Sequence, residues 1–133
     1  MAEVIENGLP LARAAVLQVR VDYAFTLVLK RGEDAYEVRI EQAFEFATAD
    51  GVVHTLDPET DPVGLGPALR CTRTAVVAAR AFEDGRLDIG FADGSAIRVP
   101  VSGEYEGWEL AGPDGLRIVA GPGAKLTVWS AEG

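Results

Sequence analysis

The groups in this chain that could do chemistry are few and widely spaced. His54 is the only histidine and Cys71 the only cysteine. A zinc site gathers three or four His, Cys or carboxylate ligands, and one lone His with one distant Cys does not supply that set. Cys71 stands close to Arg70 and Arg73, cations that can lower a thiol's pKa. A single cysteine opening a Val- and Ala-rich segment nevertheless reads first as a small buried hydrophobe. Ser95, Ser102 and Ser130 lack the glycine-flanked setting of a hydrolase nucleophile. Gly121-Pro122-Gly123 has no Lys-Ser/Thr and no following helix to make a phosphate loop. No catalytic residue, metal ligand or cofactor site is assigned on these grounds, and a non-enzyme is expected.

Two clusters of carboxylates remain. Asp57-Pro58-Glu59-Thr60-Asp61 opens like a calcium loop. That likeness ends where an EF-hand needs Gly at its sixth position and Glu at its twelfth, because Pro62 and Ala68 stand there. The stretch is read as a loop with solvated carboxylates. The second cluster sets Glu104, Glu106 and Glu109 around Tyr105 and Trp108. On a strand, Glu104, Glu106 and Trp108 share one face while Tyr105 and Glu109 share the other. One reading is a carboxylate and aromatic patch that recognises a partner; the other sends an aromatic into the core and leaves the glutamates in water. The partner-binding candidates are therefore Tyr105, Glu106, Trp108 and Glu109, with Asp57, Glu59 and Asp61 at the rim.

The elements that must position these groups come in two copies. Arg13-x-Ala15-Val16-Leu17-x-x-Arg20 answers Arg73-x-Ala75-Val76-Val77-x-x-Arg80. After a small insertion, Asp22, Phe25, Leu27, Leu29 and Gly32 answer Asp84, Leu87, Ile89, Phe91 and Gly94. Val38 and Ile40 then match Ile97 and Val99, and both copies close on Asp-Gly, at Asp50-Gly51 and Asp114-Gly115. Shared order, spacing and turn residues define pseudo-repeats over 13–51 and 73–115. Residues 52–72 connect them, and 116–129 supply closing strands. Alternation predicts strands around Phe25–Leu29, Val38–Ile40, Leu87–Phe91 and Leu126–Trp129, with Lys30 to Ala35 as a hairpin loop. Leu11 to Leu17 suits a short helix as well as a strand. Asp61 as N-cap and Pro62 at the first helical position predict about two turns of helix through Val63, Leu65, Ala68 and Leu69, weakened by Gly64, Gly66 and Pro67. Eight or more short strands between Gly, Pro and Asp turns imply a mainly β fold, with α+β as the variant. The architecture expected is an antiparallel roll, sandwich or partly closed barrel, built from two β units with one short helix between them. All 133 residues are read as a single domain.

Composition bounds the function classes. The formal charge of −9 and scattered arginines exclude the clustered cations that nucleic-acid binding needs, and the same charge repels anionic lipid. Acidity serves solubility as readily as it serves a basic protein partner. Met1 to Pro10 carries Glu3 and Glu6 without a basic or apolar run, unlike a secretory signal. With one cysteine, a reducing cytoplasm is the expected compartment.

The strings Asp84-Gly85-x-Leu87-x-Ile89-x-Phe91-x-Asp93-Gly94, Tyr105-Glu106-x-Trp108-Glu109-Leu110-x-Gly112-Pro113-x-Gly115, Pro122-Gly123 and Val128-Trp129, with Val21-Asp22-Tyr23-x-Phe25-x-Leu27, carry a resemblance across nearly the whole chain. They resemble a family of short, acidic, uncharacterised proteins common in actinobacteria; its usual second glycine after the Pro-Gly is Ala124 here. The resemblance implies no activity, and a bacterial source agrees with arginines outnumbering Lys30 and Lys125. Small acidic proteins of this kind are similar in general character to immunity proteins of toxin systems. The function expected is a non-enzymatic protein-interaction module, toxin-neutralising or regulatory. Alternatives are a small-ligand binder or minor enzyme with a cavity between the halves and Glu106 as acid or base, and a structural homodimer, against a monomer.

Overall fold

The computed structural model describes residues 8–101, 107–121 and 125–129. Two antiparallel sheets make a mainly β, sandwich-like fold, and neither closes into a barrel. The strands are β1 (Ala15–Val21), β2 (Phe25–Arg31), β3 (Asp34–Ile40), β4 (Phe44–Ala47), β5 (Val53–Leu56), β6 (Val76–Ala81), β7 (Leu87–Phe91), β8 (Ala96–Val99), β9 (Trp108–Ala111), β10 (Arg117–Gly121) and β11 (Lys125–Trp129). One sheet has the order β1-β2-β3-β9-β10-β11 and the other β5-β4-β8-β7-β6. Each half of the chain thus builds a three-stranded meander and then crosses over to complete the other half's sheet. The order β1-β2-β3-β9-β10 corresponds to β6-β7-β8-β4-β5 about a pseudo-twofold axis.

The axis passes beside Ala15 and Ala75, which form an isolated antiparallel bridge. Around it the backbone bonds come in reciprocal pairs. Arg13 N–H donates to Val76 C=O at 2.7 Å, and Arg73 N–H donates to Val16 C=O at 2.9 Å. Val16 N–H donates to Thr74 C=O, and Val76 N–H to Ala14 C=O, each at 2.8 Å. The sharp entry needed to aim these donors puts Arg13 at φ 71° and Arg73 at φ 74°, a region that favours glycine. One residue past the joint both strands carry a register shift, between Val16 and Gln18 and between Val76 and Ala78. Such bulges increase local twist and bend the strand.

Alternating side chains fill the space between the sheets. Phe25, Leu27, Leu29, Val38 and Ile40 of the first sheet face Phe44, Phe46, Leu87, Ile89 and Ile97 of the second, all buried. Phe25 and Phe44 meet across the layers with ring centroids 5.3 Å apart. The β2–β3 connection is tighter than the expected loop over Lys30 to Ala35. Arg31 pairs with Asp34, leaving a two-residue turn in which Gly32 takes φ 61°, the geometry that matches strand twist.

The expected helix is a 3₁₀ helix, Pro62–Cys71. Asp61 caps it by accepting from Gly64 N–H at 3.1 Å. Its buried residues are Leu65, Ala68 and Cys71, spaced by three, as three residues per turn requires. It does not wind as an α-helix, and Val63 and Leu69 are exposed. Gly64, Gly66 and Pro67 account for this, since they weaken an α-helix and Pro67 has no N–H to give.

Strain shared by the two joints is testable. Arg13→Gly and Arg73→Gly should each stabilise the protein by roughly 0.5–1 kcal/mol, the relief at positive φ exceeding glycine's unfolded-state entropy. Urea unfolding checks this, and equal gains at the two positions are expected.

Candidate interaction surface

In a meander every second connection falls at the same end. The connections at residues 22–24, 41–43, 57–61 and 82–86 all leave strands at one end of the sandwich, where β8 also ends and β9 begins. There Glu41 N–H donates to Gly107 C=O at 2.8 Å, continuing the β3–β9 pairing of the first sheet, and the indole Nε1–H of Trp108 ties that sheet to the other by donating to Gly85 C=O at 2.8 Å. Among the described residues these connections carry Asp22, Glu41, Asp57, Glu59, Asp61, Glu83 and Asp84, with Arg86 as their cation. At the opposite end Glu33, Asp34, Asp50, Asp93 and Asp114 are interspersed with Arg13, Arg31, Arg70 and Arg73. Among the described residues the excess negative charge is therefore concentrated at one end.

Local geometry divides the acidic end. Arg39 holds Asp22 at 3.2 Å and Glu41 at 3.9 Å, and Arg86 holds Asp84 at 2.9 Å. Asp22 also accepts from Ala24 N–H, and that bond, followed by the Arg39 contact, lowers its pKa below the ordinary 3.8. Asp57 accepts from Glu59 N–H at 3.0 Å and Thr60 N–H at 3.4 Å, closing an Asx turn. Asp61 is spent on the helix cap. Asp57, Glu59, Asp61 and Glu83 make no ion pair among the described residues.

The aromatic cluster expected beside this loop does not assemble as a patch. Trp108 is 1% exposed and belongs to the core. It stands opposite Ile40 in register, its side chain enters between the sheets, and its N–H is satisfied by Gly85. It cannot be a surface anchor without unfolding β9. Glu109 points outward but is half-buried and accepts from Arg117 Nε and Nη2 at 3.0 and 2.9 Å. Tyr105 and Glu106 lie outside the described residues. The strand registers also extend the internal correspondence to this strand. Phe44-Glu45-Phe46-Ala47 is the counterpart of Trp108-Glu109-Leu110-Ala111, because Ile40 pairs Trp108 as Val99 continues toward Phe44. The first copy has therefore kept this strand, with Phe44 where the second has Trp108.

Beside the acidic end a depression of about 500 Å³ opens on the outer face of the second sheet. Glu45, Asp88, Arg86 and Arg98 supply its charges, with Thr55 and Pro100 on its wall. It does not lie between the halves, where a ligand cavity was expected and where the packed core sits. The carboxylates with displaced pKa values, Asp22, Asp50 and Asp93, all move down, held ionised first by hydrogen bonds from Ala24, Thr48 and Ser95 respectively. A general acid needs the opposite displacement. His54 lines a separate depression with Thr48, Asp50 and Arg70, and among the described residues no cluster of three or more His, Cys, Asp or Glu could hold a metal ion. Burial pushes the Cys71 thiol up to about 12.

Sandwich-like β architecture and a one-ended carboxylate surface define a small duplicated β protein without an assembled catalytic centre among its described residues. The chain belongs to the family of unknown function DUF6188, whose model matches residues 8–130. No curated protein and no solved structure matches it. No helix among the described residues is long and apolar enough to cross a membrane.

Two outcomes follow from these groups. Cys71 should resist thiol-specific reagents at pH 8 in the native state and react only at the rate of unfolding, which Ellman titration with and without urea measures. Asp93 has a folded-state pKa below 3.8, so its hydrogen bonds stabilise the protein above that value and the contribution is lost as pH falls through the lowered pKa. Asp93→Asn should flatten the acid side of the stability–pH curve, read by thermal melts between pH 2 and 6.

Proposed function

We propose that this protein is a non-enzymatic interaction module that presents its acidic end to a basic protein, as a toxin-neutralising or regulatory partner. The observation that carries the reading is the gathering of carboxylates from connections far apart in sequence at one end of the sandwich, where Asp57, Glu59, Asp61 and Glu83 stand without cations among the described residues. A field of one sign speeds encounter with an oppositely charged partner and rejects acidic competitors. Loop 57–61 suits the role because its backbone is pinned by the Asp57 turn and the Asp61 cap, so little ordering entropy is lost on docking. An actinobacterial source and a cytoplasmic setting belong to the same proposal; the first is supported by the arginine-rich, lysine-poor composition and the second by a single buried cysteine.

Affinity capture with the full chain tests the reading. The partner retained should be basic, and capture should fall at least about tenfold for the combined Asp57→Asn, Glu59→Gln and Glu83→Gln variant and in high salt. Thermal melts would verify that the variant is folded. Equal capture by the variant, or retention of acidic proteins only, would contradict the proposal.

A further inference from the structure

The outer faces of the two sheets occupy equivalent places about the pseudo-twofold axis, so each serves as a control for the other. On the first sheet the ions are satisfied within the chain: Arg39 by Asp22 and Glu41, Glu109 by Arg117, and Arg20 by Glu37 at 3.3 Å. The row of register partners beside them contains Glu37, Arg117 and Trp129, with the Arg117 guanidinium 5.5 Å from the Trp129 ring centre. That face is bulky and internally paired.

The second sheet differs in both respects. Successive register partners across β6, β7, β8, β4 and β5 are Arg80, Asp88, Arg98, Glu45 and Thr55, all exposed. Among the described residues none of these four ions forms an ion pair, although the Arg80 guanidinium lies 5.2 Å from the Phe82 ring centre. The adjacent row is Ala78, Gly90, Ala96, Ala47 and Val53, with no side chain larger than valine. A face this flat allows close approach of another sheet. Its unpaired charges, alternating in sign at the interstrand spacing of about 4.8 Å, specify what the approaching surface must carry.

We propose that this face docks a second copy of the chain. The order plus, minus, plus, minus is self-complementary. A twofold axis running along the strands between β7 and β8 lays Arg98 of one copy on Asp88 of the other, and Arg80 on Glu45, each pair occurring twice. An axis across the strands would instead set Arg98 on Arg98. The face is balanced in sign, so neither a uniformly basic nor a uniformly acidic surface complements it. Arg80 of the second copy reaches the depression of about 500 Å³ at Glu45, filling a concavity of this face that a flat neighbour would leave open. Face-to-face sheets keep their strands within about 30° of each other, so the central Arg98 and Asp88 pairs carry most of the register. The acidic ends of the two copies fall on the same side of the dimer and remain free. Dimer formation therefore does not rest on the basic-partner reading.

Sedimentation equilibrium and light scattering on the full chain, from about 10 μM to 1 mM, test the proposal. Mass should rise with concentration toward twice 14.1 kDa. Arg98→Glu should weaken dimerisation by about 100-fold or more, while the exchange Asp88→Arg with Arg98→Asp restores it to within about tenfold. Ala96→Arg, which leaves every ion in place but destroys the flat row, should also give monomer, with circular dichroism verifying the fold of each variant. A wild-type mass of 14.1 kDa throughout, or a dimer that neither Arg98→Glu nor Ala96→Arg weakens, would overturn the proposal.

Discussion

Everything in this fold depends on the reciprocal backbone joint between the first strands of the two halves. β1 and β6 would each be an unprotected sheet edge, a template for wrong pairing. The bonds from Arg13 and Val76 on one side, and from Arg73 and Val16 on the other, cover the first turn of both edges at once. The arrangement requires positive φ at two arginines and a bulge one residue later in each strand. Because each half also lends a hairpin to the other's sheet, neither meander can bury its apolar face alone. The layers lock through Phe25 on Phe44 and through Trp108 on Gly85.

A symmetric frame makes its departures from symmetry informative. Equivalent strands carry equivalent arginines, Arg39 and Arg98, each opposite a glutamate, Glu109 and Glu45. In one sheet those charges are consumed by local partners and in the other they are left open. The ends diverge as well. Connections at one end collect carboxylates while those at the other alternate in sign, so the negative charge of the described residues acts as a directed field.

The architecture was legible because it is written in turns and alternation. Asp-Gly steps, the Arg13 and Arg73 motifs and the period-two apolar runs lead to strands in the right order, and Asp61-Pro62 to a capped helix. What sequence could not supply was pairing between strands. Without the Ile40 to Trp108 register, an indole that belongs to the core stands among the candidates for a surface anchor. The 3₁₀ period of Leu65, Ala68 and Cys71 competes with an α period over the same ten residues, and only Gly64, Gly66 and Pro67 hinted at the outcome. The acidic end was half visible: Asp57 to Asp61 stood out as a run, whereas Glu41, Glu83 and Asp84 join it only once alternate connections are known to share an end.

The most direct measurement of the central claim, that two halves fold as one unit through a shared joint, is native-state hydrogen exchange at the amides of Val16 and Val76. Both donate across the joint, to Thr74 and Ala14. They should exchange only through global unfolding, with the same opening free energy and the same denaturant dependence. Exchange of one at markedly lower free energy, with its sheet opening while the other stays protected, would contradict the account.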